Sequence, residues 1–179
     1  MTATRLLFYR QSRAVSSIMG VVISVQTEDF DLSAEYDRLR SIGDGVGAIV
    51  TFTGLVRDFE STLDQPNYSK KLTTLTLQHY PEMTERLLSE IVENALSRWS
   101  LLGVTVIHRV GSLSPNDQIV FVGVASTHRE DAFESAQFLM DYLKTRATFW
   151  KKAKVSGEEQ WLDAKDSDAS AAERWDDQT

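Results

Sequence analysis

The sequence predicts an α+β protein with mixed or antiparallel sheets and packed helices. Three observations carry that expectation. Short β-branched runs alternate with stretches whose apolar residues recur at helical spacing, so both element types are present. Two of the runs, 104–110 (VTVIHRV) and 119–125 (IVFVGVA), are separated only by a turn-like segment with Pro115. They read as a hairpin, which does not suit a doubly wound parallel sheet. At 179 residues, 42% hydrophobic and 25% charged, the chain can bury one real core and is too short for two comfortable domains.

Taken in order, residues 1–19 contain Arg5, Arg10 and Arg13 and no acid. Such a leader resembles a transit peptide or an extension from an upstream start, with Met19 as the natural first residue. The second alternative is preferred, and the segment is expected to be loosely ordered. Residues 20–26 (GVVISVQ) predict a strand. Residues 32–42 place apolar side chains at 32, 36, 39 and 42, a helical spacing, with Asp31 or Ser33 as cap. Gly43-Asp44-Gly45 is the expected stop. Residues 46–55 (VGAIVTFTGL) predict a buried strand, and 58–71 a long exposed loop around Pro66-Asn67.

Residues 72–79 predict a strand with Leu72, Leu75 and Leu77. The firmest helix follows Pro81, with Met83, Leu87, Leu88, Ile91, Val92, Ala95, Leu96 and Trp99 on one face. Its Met and Trp stripe reads as core. A helix from His128 to about Arg146 would turn Ala132, Phe133, Ala136, Leu139, Met140 and Leu143 inward. Thr127 and Glu130 form a capping-box pattern at its start. Two short strands, 148–154 and 160–164, flank Ser156-Gly157. The end of the chain is acidic: residues 155–179 carry eight acids against Lys165 and Arg174, with Trp161 and Trp175 as possible anchors. The expected organisation is therefore a leader over 1–19, one domain over 20–165 and an acidic tail over 166–179.

Composition excludes several functions. The formal net charge of -7 argues against general nucleic-acid binding, which needs a basic face. No apolar run approaches a membrane span. There is no cysteine, which rules out disulfides, thiolate metal sites and thiol nucleophiles. His79, His108 and His128 are too scattered for a local metal motif, so no metal or cofactor is expected.

Against the acidic background, 140–152 (MDYLKTRATFWKK) gathers Lys144, Arg146, Lys151 and Lys152 with Tyr142, Phe149 and Trp150. The pattern suits a pocket for a flat anionic ligand. It equally suits a helix end with solvated lysines beside core aromatics. Lys144 borders the apolar helix face, where partial burial would fit it for proton transfer; a lysine covering the core with its stem is the plainer alternative. His128 and Arg129 in a first turn would favour a bound phosphate, or they answer Asp131 and Glu134. Arg57 follows a strand end, a common place for binding groups and an ordinary place for a surface arginine. His108 and Arg109 lie within a strand, where structural roles are expected.

The segments TFTGLVR (51–57), LTLQHYPEMTE (75–85), VTVIHRVG (104–111), IVFVGVASTHRE (119–130) and MDYLKTRATFWKK (140–152) appear in order without a large gap. Together they resemble the MoaE family, the catalytic (large) subunits of molybdopterin synthase. The resemblance implies a fold with a β-hammerhead element and a cytoplasmic sulfurtransferase of molybdenum cofactor biosynthesis. Its reaction would convert cyclic pyranopterin monophosphate, precursor Z, into molybdopterin. Two sulfurs would come from the thiocarboxylated Gly-Gly C-terminus of a small ubiquitin-like subunit of the MoaD type. The implied assembly is a heterotetramer around a dimer of large subunits.

Position by position, the resemblance implies Lys144 and Lys151 as catalytic lysines. It implies substrate binding by Leu55, Val56, Arg57, His128, Arg129, Lys144, Lys151, Lys152 and Ala153. Two departures stand out. Leu55 occupies a position where the family often has lysine, and Ala153 one where it often has glutamate. The first removes a positive contact and the second a carboxylate that could orient a lysine. A non-catalytic module that keeps the fold and partner surface is the alternative, and the retention of both lysines weighs against it. Helix-mounted Lys144 is expected to be held more rigidly than Lys151.

Overall fold

The computed structural model describes residues 20–57, 59–60, 70–147, 149–155, 158–162 and 172–175. The predicted leader, most of the predicted loop and most of the acidic tail lie outside them.

Two sheets organise the chain. The first has four strands in the order β1 (Val21–Gln26), β5 (Leu101–Arg109), β7 (Gln118–Ser126), β2 (Ala48–Leu55). β1 pairs with β5 in parallel, and the other pairings are antiparallel. β5 and β7 alternate between two covered faces, which explains their near-continuous apolar runs. Val104, Val106, Val120, Val122 and Val124 face α2 (Pro81–Arg98) and α3 (Arg129–Thr145). Ile107, Phe121 and Ala125 face the other way, onto Phe30 and onto Leu39 of α1 (Leu32–Arg40).

The second sheet is built on β4 (Lys70–His79). β8 (Phe149–Val155) lies along one side of it, and β9 (Glu158–Leu162) lies beyond β8. On the other side are β3 (Phe59–Glu60) and β6 (Gly111–Leu113). Its core face is Leu72, Leu75, Leu77, Leu113, Ala153 and Val155. Leu72 and Leu75 are an odd number of residues apart, yet both point inward. The register shift between Leu72 and Thr74 restores the alternation.

The α+β expectation holds, with differences of detail that have physical reasons. The predicted hairpin forms, but residues 111–113 detour into the second sheet as β6 and stitch the two sheets together. Gly111 makes this possible with φ +84, a conformation that costs glycine little. β2 is not a buried strand: it is an edge strand, and Phe52 and Leu55 are 42% and 49% exposed. β4 begins inside the predicted loop.

α1 is capped by Asp31, whose carboxylate accepts from the Ser33 and Ala34 amides. It stops at Ser41, before the expected glycines, and buries Glu35 and Leu39 while Leu32 and Tyr36 stay exposed. In α2, Met83 is exposed, so the first turn of its stripe is not core. In α3, the N-cap is His128 and no side chain caps the helix, so the Thr127–Glu130 box does not form. Phe133 is also exposed. Phe138 and Tyr142 take the inward places instead, because the helix meets both the sheet and α2 and its buried face is wider than one stripe. Of the two candidate anchors, Trp175 is buried in the main core and Trp161 is exposed.

Candidate functional site

Only Thr127 and His128 separate β7 from α3, which packs back along β7 and β2. Its 17 residues make it about 25 Å long at about 1.5 Å per residue. Lys144, in its last turn, therefore returns to the Gln118 end of β7. Leu55 pairs with Gln118 at that same end. Only residues 146–148 then separate α3 from Phe149, the first residue of β8. Lys144, Lys151 and the segment leading to Arg57 are thus brought to one end of the first sheet, where it meets the second.

Each of the three is held by backbone geometry. Arg57 is exposed and follows Val56, whose amide donates to Asp117 O at 2.9 Å and whose carbonyl accepts from the Asn116 amide at 2.7 Å. This double clip fixes the exit of β2 on the turn before β7. The Val56 side chain itself is buried in the second core, so only the flanking Leu55 and Arg57 face solvent. Lys144 is exposed rather than half-buried. The turn that carries it closes with the Arg146 amide on Tyr142 O at 2.8 Å, and the Arg146 guanidinium lies 4.1 Å over the Tyr142 ring. Lys151 sits on a strand paired on both sides, to Leu77 and to Leu162.

Alternation along β8 separates neighbours. Lys151 shares the inner face with Phe149 and Ala153. Lys152 lies on the outer face, ion-paired to Glu159, with its Nζ 5.7 Å over the Trp161 ring. A shallow cleft there is lined by Thr74, Thr76, Ser112, Lys152 and Lys154. Lys152 holds the Glu159 carboxyl below the usual carboxylate range. The structure therefore does not bring Lys152 together with Lys151. Ala153 is fully buried among Leu75 and Val155, so its side chain packs the core, while the residue also borders the cleft beside Lys152.

Behind Lys151 lies His108. Its ring stacks on Phe149 at 3.8 Å and 12°, and its Nδ1–H donates to Arg109 O at 2.8 Å. His79 flanks Phe149 at 6.3 Å. Burial lowers the His108 pKa to about 4, and the positive charge of Lys151 and of His79 adds to the effect. A neutral, donor-fixed imidazole thus backs the strand that carries Lys151. Sequence reasoning assigned His108 a structural place but missed the stack, since residues 108 and 149 are far apart in sequence. Arg109 turns to the other side, where its guanidinium donates to Gln118 O and Thr27 O and pairs with Asp29 at 3.3 Å.

His128 and Arg129 are both exposed and stand at the opposite end of α3. The register of β2 on β7 measures the gap: Ala48 pairs with Ser126 at the His128 end, and Leu55 with Gln118 at the lysine end. Seven strand steps span roughly 20–25 Å. A single chain does not unite the two basic groups. Among the described residues no cluster of three or more His, Asp or Glu could hold a metal, and no helix is long and apolar enough to cross a membrane.

Comparison with known proteins identifies the family. The family model described as "MoaE protein" matches residues 25–146. A Yersinia pestis protein named molybdopterin synthase catalytic subunit is 52% identical over 153 residues, covering 86% of this chain and 96% of its own length. One of the same name from Escherichia coli is 50% identical, covering 86% and 97%. Among solved structures, the molybdopterin biosynthesis MoaE protein of Burkholderia ambifaria superposes with a TM-score of 0.71 at 44% identity, over 87% of this chain and 98% of that one. With the family model matching residues 25–146 and curated relatives about half identical over nearly their whole length, on the expected α+β scaffold, the chain belongs to the MoaE family.

Proposed function

We propose that the chain is the catalytic subunit of a cytoplasmic molybdopterin synthase, a sulfurtransferase that converts precursor Z into molybdopterin. The observation that carries this reading is the convergence of Lys144, Lys151 and Arg57 at one end of the molecule, on a chain about half identical to proteins of that name. The donor, as membership of the family implies, is the thiocarboxylated C-terminus of a small ubiquitin-like subunit, and the absence of cysteine from this chain agrees with sulfur brought by a partner. Each transfer forms a C–S bond at a pterin side-chain carbon and expels an oxygen, which takes a proton. Water then cleaves the acyl–sulfur bond and returns the tail as a carboxylate. No electrons are gained or lost.

The residues suit these steps. A lysine ammonium can protonate the leaving oxygen or polarise the acyl group. Arginine is fitted to the phosphate by its planar fork of donors. His128 and Arg129 are also assigned to the anion, and their distance from Lys144 gives that assignment a condition. They must reach the site from a second copy of the chain, which accords with a dimer of large subunits. Lys152, paired outward, has no direct part in this scheme, and the Ala153 side chain serves as packing.

Incubation with precursor Z and the thiocarboxylated small subunit, followed by detection of molybdopterin, tests the proposal. Absence of product, with the small subunit still bound, would favour a non-catalytic module, the reading to which Leu55 and Ala153 lend support.

A further inference from the structure

The last turn of α3 is held by a contact that the proposed chemistry does not use. Trp175, 6% exposed, lies edge-on to Trp99 and Phe138, with ring centroids at 5.7 and 5.6 Å. Its indole N–H donates to Asp141 Oδ2 at 2.8 Å, and Arg174 pairs with the same oxygen. Arg98 Nη1, from the end of α2, donates to the Trp175 carbonyl at 2.9 Å. The Asp141 side chain is only 13% exposed, and its backbone carbonyl accepts from Thr145 Oγ1 at 2.9 Å. Arg174 and Trp175 thus converge on one carboxylate of α3, and Arg98 of α2 holds Trp175 through its carbonyl. Lys144 is three residues along the helix, a spacing that puts the two side chains next to each other on its surface.

We infer that Trp175 and Asp141 are positioning residues for Lys144: the buried indole–carboxylate bond fixes the final turn of α3 and so sets where the lysine stands in the site. The chemistry at Lys144 rests on the proposed function, whereas the fixing of the turn does not. Packing of a helix face stabilises its middle, but the last carbonyls of a helix have no intrahelical partner and its end frays unless tied down. α3 has no C-terminal glycine cap; Arg146 closes it in an ordinary helical conformation. The side-chain bond to Asp141 adds a restraint to the packing of Tyr142 and Leu143 in that turn.

Two variants test this, Trp175→Phe, which keeps an aromatic ring of smaller size and loses the N–H, and Asp141→Asn, which keeps the shape and loses the charge. Amide hydrogen exchange is read on the full chain alone, and turnover on the complex with the thiocarboxylated small subunit. Exchange should quicken at residues 142–146 in both variants while α2 and the first turns of α3 stay as in the parent. Turnover should fall on the order of ten- to a hundredfold, the scale of a small misplacement of a catalytic group, with KM for the pterin unchanged. Unchanged exchange at 142–146 would overturn the inference. So would quickened exchange with full turnover, or a loss confined to KM. A parent protein that makes no molybdopterin would sink the functional reading alone, and the exchange pattern would still decide the restraint.

Discussion

Lys151 and Lys152 are adjacent in sequence and project from opposite faces of β8, the first toward Phe149 and His108 and the second toward Glu159 and Trp161. Two lysines that look interchangeable in a basic run therefore have different environments. Lys152→Ala should leave molybdopterin formation close to the parent rate, while Lys151→Ala should lower it steeply. Single-turnover conversion of precursor Z by the two variants makes the comparison. Equal losses would show that the outer face also takes part.

Lys144→Ala should lower the rate on the order of a hundredfold to ten-thousandfold, the usual contribution of a general acid or base. Lys144→Arg should fail as well, because arginine does not give up its proton near neutral pH. The rigidity argument for ranking Lys144 above Lys151 does not stand, since Lys151 lies on an interior strand paired on both sides. Both alanine variants should fall within the same range, with circular dichroism as the folding control. A well-folded Lys144→Ala at near-parental rate would remove this lysine from the chemistry.

His108 gives the fold a pH dependence. Its pKa is lowered from 6.5 to about 4 by burial, so the unfolded chain binds its proton more readily than the folded one. The stabilisation is complete above pH 6.5 and is lost progressively as pH falls toward 4. At about 1.4 kcal/mol per pKa unit the loss amounts to roughly 3 kcal/mol. His108→Phe removes the titrating group and should flatten that part of the profile. Urea unfolding from pH 7 to pH 4 measures it; an unchanged slope would place the acid sensitivity elsewhere.

Leu39 is fully buried and is the main apolar anchor of α1 on the first sheet, against Phe30 and Phe121. Leu39→Ala should cost about 2–5 kcal/mol, as large-to-small changes in cores do. The site lies on other elements, so turnover below the melting temperature should be retained. Denaturant midpoints together with activity test both parts.

Much of this fold was legible because local signals and tertiary packing agree. β5, β7 and α2 read correctly from apolar runs and from helical spacing, and the sequence predicts two short strands on either side of Ser156-Gly157, the second of which starts at Glu158 rather than at residue 160. The misjudged places are those where burial depends on a partner in space. Phe133 and Met83 continue their helices' apolar patterns and are exposed, while Phe138 and Tyr142 are buried because α2 and the C-terminal Trp175 cover them. β2 has the composition of an interior strand and lies at an edge. At the site, the motif resemblance named the residues, but a linear sequence contains neither the faces of β8 nor the length of α3. Those two features separate Lys152 from Lys151 and His128 from Lys144.

The length of α3 has a genetic consequence. If each site draws its lysines from one chain and His128 with Arg129 from another, damage at the two ends of the helix is complementary. A dimer assembled from one Lys144→Ala chain and one Arg129→Ala chain would concentrate both lesions in one of its sites and leave the other fully parental. Two inactive proteins, unfolded together and refolded as a mixture, would then regain activity that neither possesses alone. Two chains both altered at Lys144 would remain inactive in any combination.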